Sequence, residues 1–415
     1  MKIIVLSFVF FILELSLSFG QSSSTYTRYG IGDYEYSYSA RRSGLGKLGV
    51  AVSDADFINS INPAGWYKIS KTRFELGITL NGIFVSDNKQ KSYSAETEIN
   101  GFTFGFPVSS EYGIAVAAGL IPVTNVSYKT AQTYTVGDPI NSTYNLSYEG
   151  SGGLSKMFIG SSYELPGNFL FGASFDYYFG NIDYLSTVDF IDGSGTSAKY
   201  NKQTVFNGIG GTFGFVSPNL SNQFDMLSIS DFRIAGSISY FGKIKADTVL
   251  TSQTLGVIDS IFSGRSDVNI PPRITLGISS MFSDEYLVAL DYSFQQWSDY
   301  EFAGKPGSNL RNSFLLSAGF EYRPKRSIGS TFWEQIMLRA GLNFEQTQYV
   351  FNNIGINKYS VSGGASIPLG SENTLDIGLE YFIRGKIDSG LLKEEAIKLN
   401  LGISLGELWF IRYDK

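Results

Sequence analysis

Cysteine and histidine are both absent from the 415 residues. Without cysteine there is no disulfide framework, no thiol nucleophile and no lipid-bearing N-terminal thiol. Without histidine there is no Ser-His-Asp relay, no imidazole-bound zinc and no histidine proton shuttle. Charge is scarce too. Asp, Glu, Lys and Arg make up 17% of the chain, against about 25% in ordinary soluble domains. Acids and bases are interspersed and sum to −6, which offers no basic face to nucleic acid. Beyond the first twenty residues no run of eighteen apolar residues occurs, so no helical membrane span is expected there. Nothing in these totals points to an enzyme, a cofactor or a metal.

What is abundant is aromatic and small. Aromatics reach 15%, with 33 Phe and 26 Tyr, and Gly numbers 46. A soluble protein must cover its surface with polar groups; a barrel in lipid need not. The start of the chain reads as a signal peptide over residues 1–20. Lys2 is followed by the apolar stretch from Ile3 to Leu17, interrupted by Glu14, and "SFG" before Gln21 supplies small residues for cleavage.

Alternation recurs along the rest. Phe169, Phe171, Phe175 and Tyr177 oppose Gly172, Ser174 and Asp176. Val288, Leu290, Tyr292 and Phe294 oppose Ala289, Asp291, Ser293 and Gln295. Phe232, Ile234, Phe314, Leu316, Leu375 and Ile377 begin similar runs. Such runs last roughly ten to thirteen residues, whereas soluble strands average about five or six. A tilted strand needs about nine to eleven residues to cross a bilayer. One face is large and apolar, as lipid demands, and the other small and polar, as a lumen allows.

This pattern predicts an all-β fold: a transmembrane antiparallel β-barrel over residues 71–415, with about fourteen strands. They are expected near 71–83, 95–108, 111–123, 153–164, 168–180, 202–217, 229–243, 272–283, 286–298, 310–323, 334–347, 355–368, 373–385 and 395–411. Short links such as "VSSE", "ELPGN" and "FSDE" mostly alternate with long ones at 124–152, 181–201 and 244–271. Long outer loops and short periplasmic turns have that rhythm. Links 218–228 and "PKRSIGSTFWE" are longer than a periplasmic turn should be. A lumen of this width needs a plug, or it is an open pore.

The stretch "YTRYGIGDYEYSYSARRSGLGKLGVAVSDADFINSINPAGWYKISKTRFELG" supplies a candidate plug. Its Gly-rich "RRSGLGKLGVAVSD", the "FINSINPAGW" after it and the strand that follows resemble the start of the FadL/TodX family of hydrophobic-substrate transporters. "GSGGLSKMFIGSSYEL", "LDYSFQQWSDY" and the tail "LNLGISLGELWFIRYDK" resemble Bacteroidetes-type members of that family. The resemblance implies an N-terminal hatch over residues 21–70 inside a fourteen-stranded barrel. Arg28, Arg41, Arg42, Asp54 and Asp56 are candidates for pairing inside the lumen. Asn62 and Pro63 are expected to hold an extended turn. The inward acids Glu75, Glu96, Glu98, Asp291, Glu321 and Glu380 are expected to form a hydrated wall paired with hatch arginines, not an acid–base pair.

The resemblance further implies passive uptake of hydrophobic compounds, such as long-chain fatty acids or small aromatics, across a bacterial outer membrane. The hatch would move and the solute would leave sideways at a kink in the third strand. Gly119, Ile121 and Pro122 are the residues expected there, since proline cannot donate to a ladder. A fatty-acid carboxylate would need a cation, for which Arg28, Arg41, Arg42 and Arg233 are the candidates. The expected surroundings are outer-membrane lipid and a hydrophobic small molecule or fatty acid, with no nucleic acid, and the chain is expected to act as a monomer. Three Asn-X-Ser/Thr triplets, at Asn125, Asn141 and Asn145, carry no expectation. Two further readings remain open. One is a barrel scaffold associated with a protein secretion system; the other is an outer-membrane lipid hydrolase, which the lack of histidine disfavours.

Overall fold

A computed structural model describes residues 24–137, 142–223, 229–324, 329–370, 372–387 and 389–407. The expected leader over 1–20, the first three residues of the expected hatch, Asn141 and the tail 408–415 lie outside them. The barrel has fourteen antiparallel strands. They are β1 (Thr72–Ser86), β2 (Lys91–Ser109), β3 in two segments (Ile114–Pro122 and Thr124–Val136), β4 (Ser142–Leu165), β5 (Phe169–Phe190), β6 (Ala198–Val216) and β7 (Ile229–Thr254). Then come β8 in two segments (Val257–Asn269 and Arg273–Phe282), β9 (Tyr286–Gln295), β10 (Ser313–Tyr322), β11 (Met337–Phe351), β12 (Ile354–Pro368), β13 (Thr374–Gly385) and β14 (Lys393–Glu407). The ring closes where β14 pairs with β1, from Lys393 opposite Ser86 to Glu407 opposite Thr72. Closure leaves no sheet edge at that seam.

The side-chain period of two sorts the residues as the alternation requires. On β9, Val288, Leu290 and Tyr292 are exposed, while Asp291, Ser293 and Gln295 are buried. On β5, Phe169, Phe171, Phe175 and Tyr177 face out, and Ser174 and Asp176 face in. The outside is therefore an apolar, aromatic belt and the inside a polar surface, which is the exterior of a lipid-embedded barrel.

Four expected links prove to be strand. The first turn shrinks to Asp87–Gln90, closed by the Asp87 N–H donating to the Gln90 carbonyl. The segments expected as loops at 124–152, 181–201 and 244–271 are mostly ladder, so that β4, β5 and β7 reach 24, 22 and 26 residues. That is about twice what a bilayer needs. The excess stands outside it as a tall wall of six paired segments, from the second part of β3 round to the first part of β8.

The segment from Ser24 to Ser70 lies against the inward faces of the strands. It holds little regular structure: the short helix Ala40–Gly44, the 3₁₀ turns Thr25–Arg28 and Pro63–Lys68, and a two-residue bridge, Asp33–Tyr34, against β3. Asn62 has extended backbone and caps the Pro63 turn, its side chain accepting from the Ala64 N–H. Its amide nitrogen also donates to the carbonyls of Val50 (2.8 Å) and Phe215 (3.1 Å). The wall makes room for it with Gly214, where a Cβ would come within 1.9 Å of the Asn62 Oδ1.

Candidate functional site: a filled lumen and an interrupted third strand

The lumen is crossed by ion pairs and backbone contacts. Arg41 meets Asp54 at 3.3 Å, Asp56 at 3.0 Å and Glu321 at 3.1 Å. Arg323 joins Asp54 at 2.9 Å and also pairs with Glu321, which Arg339 pairs as well. Burial pulls the Arg41 guanidinium down, but Asp54, Glu321, Asp56 and Asp376 outweigh it and hold Arg41 well above its ordinary value. For Asp56 burial pushes up, and Arg41 pulls it below the usual carboxylate range. Near the outer end Arg384 pairs with Asp33 (2.5 Å) and Glu394 (2.6 Å). Burial raises Asp33, and Arg384 and Lys358 bring it below its ordinary value.

The inward acids are satisfied differently from the expectation. Glu321 meets Arg41 of the segment 24–70. Glu75 accepts from the Tyr38 hydroxyl (2.6 Å) and the Ile58 N–H (2.7 Å). One oxygen of Asp291 accepts from the N–H groups of Gly49 (2.6 Å) and Val50 (2.9 Å). Glu380 meets Lys47 at 2.8 Å. Of the other candidate arginines, Arg28 lies over the Tyr148 ring, and Arg42 lies over Phe57 while donating to the Leu48 carbonyl. Burial lowers Arg42, with Asp54 and Asp291 opposing. Arg233 pairs with Asp231 on its own strand. Above these contacts Ile31 packs with Trp297, Tyr300, Val126 and Tyr178 in one apolar cluster, which fills the outer end of the lumen.

The third strand is interrupted at Val123. Below the break β3 pairs on both sides: Gly119 sits opposite Thr103 on β2 and Phe158 on β4. Gly119 therefore does not interrupt the strand, contrary to expectation. A Cβ there would approach Thr103 and Phe158 to 2.7 and 2.8 Å, so it serves close packing. Pro122, last in the lower segment, still faces Ser155. Above the break, β3 keeps β4 but leaves β2. The β2–β3 ladder ends at Phe102 opposite Leu120, two residues from a bulge in β2 at Asn100. Gly101 beside the bulge has φ +96°, and a Cβ on it would lie 2.0 Å from the Leu120 carbonyl.

Among the described residues no ladder joins the upper part of β2 to the upper part of β3. Between them opens a cleft of about 1060 Å³. Tyr93, Thr97 and Ile99 line one bank, Asn125 and Lys129 the other, with Glu35 and Pro122 also on its lining. Across it the Asn125 Nδ2 donates to the Glu98 Oε1 at 2.5 Å. Pro122 and Ile121 also line a smaller interior cavity. The sequence did not single out Asn125 beyond its triplet, and gave no sign of the bulge at Asn100.

The BamG family model matches residues 1–414. The chain belongs to the BamG family. No curated protein matches this BamG-family chain. Among solved structures it is similar to the Ralstonia pickettii toluene transporter TbuX, at 16% identity and TM-score 0.58, over 91% of this chain and 98% of that one. A Pseudomonas aeruginosa FadL homologue aligns at 13% identity and TM-score 0.60, over 90% and 99%. The P. putida toluene transporter TodX aligns at 16% identity and TM-score 0.56, over 85% and 93%. The BamG-family chain thus has the FadL/TodX-type barrel fold, and with its apolar belt it is a bacterial outer-membrane protein.

Proposed function

We propose that this chain is a passive outer-membrane channel for hydrophobic compounds, and that the solute leaves sideways between β2 and β3. The observation that carries this reading is the cleft at the interrupted third strand, bridged by the Asn125–Glu98 bond. A cleft of this size accepts a small organic molecule. The similar folds described as toluene transporters support an apolar cargo. The segment 24–70 acts as a hatch: it fills the lumen, so transport requires its polar contacts to rearrange.

The test is uptake of a labelled aromatic hydrocarbon, and of a sugar of similar size, by cells with an intact lipopolysaccharide layer. Expressing the chain should speed entry of the hydrocarbon and leave the sugar unchanged. Equal rates for the hydrocarbon with and without the chain would contradict the proposal.

A second reading, a barrel scaffold associated with a secretion system, is favoured by the tall outer wall and the apolar cluster at the mouth. Extraction in mild detergent decides for it if a stoichiometric protein partner is retained and hydrocarbon uptake is absent.

A further inference from the structure

The lipid-facing side of β5, β6 and β7 carries an open groove of about 940 Å³. Its sides are Phe175, Tyr177, Ile209, Phe213 and Tyr240, and it is recessed where Ala173, Gly211 and Gly242 offer little or no side chain. At the end nearest the tall wall Lys243 and Lys245 also line it.

A bulge in β7 puts both lysines there. Gly208 and Gly210 on β6 stand opposite Ile244 and Phe241, so that Gly242 and Lys243 together face the single residue Ile209. Such an extra residue shifts the alternation by one. Phe241, Ile244 and Ala246 are buried on the lumen side, and Lys243 and Lys245 are exposed on the other. Counted on from Phe241, strict alternation would have turned both lysines into the lumen.

The bulge lies at the edge of the membrane. Up β7 the exposed residues are Ile234 and Ile238, then Tyr240, then the two lysines, with the Asp247–Arg265 ion pair beyond them. Apolar, aromatic and charged residues in that order mark a lipid–water interface. Charge there is not balanced. Among the described residues neither lysine has a carboxylate within 4 Å. Asp267 stands opposite Lys245 in the ladder, and Asp247 is held by Arg265 at 2.5 Å. Lys243, Lys245 and Arg265 against Asp247 and Asp267 leave one cation over. The wall stands on the outer side, where long connections belong, so the leaflet at this depth is the outer one. Its glycolipid carries phosphates beside its acyl chains.

We propose that this groove is a binding site for one molecule of lipid A: an acyl chain lies over Gly211 between the aromatic sides, and a phosphate sits between Lys243 and Lys245. Lysine stems can lie along the apolar surface while the ammonium groups reach the phosphate, and ionised partners make the stronger hydrogen bonds. The site is on the outside of the barrel, so it does not depend on the channel reading.

The test is native mass spectrometry of the purified full chain in a neutral detergent, titrated with lipid A, with the same lipid A after enzymatic removal of its phosphates, and with phosphatidylglycerol. One lipid A should be retained per chain, at least about tenfold more tightly than the dephosphorylated form and more tightly than phosphatidylglycerol. The double variant Lys243→Gln, Lys245→Gln should erase the preference for phosphate. Lys89→Gln, on the turn between β1 and β2, should leave it whole. Ala173→Trp, which fills the groove, should weaken both forms of lipid A. The wild-type comparison needs no variant, so it decides even if a variant misfolds. Equal retention of the two forms of lipid A, a phosphate preference undiminished in the double variant, or phosphatidylglycerol held as tightly as lipid A would overturn the site.

Discussion

At the scale of single residues, the segment 24–70 is held against the barrel wall by buried charges. Glu321 is fully buried and serves three guanidinium groups, Arg41, Arg323 and Arg339. Removing one member of a buried ionic group costs roughly 3–5 kcal/mol, because the partners stay buried and uncompensated. Glu321→Gln should lower the denaturant midpoint of the detergent-solubilised barrel by a corresponding amount, and an unchanged midpoint would show that Arg323 and Arg339 find other partners. Asp33 and Asp56 add a pH dependence. Both are held below the usual carboxylate range. Their contribution is complete above an unfolded-state value of about 4 and is lost as pH falls through the lower folded values. Protease cleavage within 24–70 should therefore stay slow at neutral and mildly acid pH and accelerate only below about pH 4. The double variant Asp33→Asn, Asp56→Asn should flatten that profile. Little of this was legible in the chain: a run of arginines and aspartates reads the same whether paired or solvated, and partners such as Arg41 and Glu321 are 280 residues apart.

At the scale of elements, the strands were legible where they touch lipid and not beyond. Alternation on β9 or β10 is sharp because an apolar outward face is required there. In the second part of β3 and the outer parts of β4 and β5 the ladder continues with Tyr, Thr, Ser and Asn. Outside the bilayer nothing makes the outward face apolar, so the period of two fades while the hydrogen bonds go on. The break itself depends on backbone that a side chain would obstruct. Gly153 on β4 has φ +155°, and a Cβ there would sit 2.1 Å from the Thr124 carbonyl, the first residue after the break. Gly153→Ala should cost about 1–3 kcal/mol through strained backbone. Gly137→Ala, at a position with nothing within 4 Å, should cost less than about 1. Equal midpoints for the two would mean that β3 and β4 adjust freely at the break. Pro122 stands one residue before the interruption; Gly119 lies within the paired segment, because a glycine chosen for close packing looks the same in sequence as one chosen for a bend.

At the scale of the whole molecule, two features oppose each other. Among the described residues, the segment 24–70 and the apolar cluster at the mouth lie across the lumen. Among the described residues the wall opens between the upper parts of β2 and β3. If the molecule conducts, the cleft is the route, and closing it must stop transport while leaving the fold intact. The absence of cysteine makes this direct to examine. Glu98→Cys and Asn125→Cys place one thiol on each bank, at the positions whose side chains already touch, and a short reducible bis-thiol crosslinker ties them. Uptake of labelled hydrocarbon should fall to the level of cells lacking the chain when the tie is made, and return when a reductant cuts it. Uptake that is the same with the banks tied and untied would contradict the lateral route.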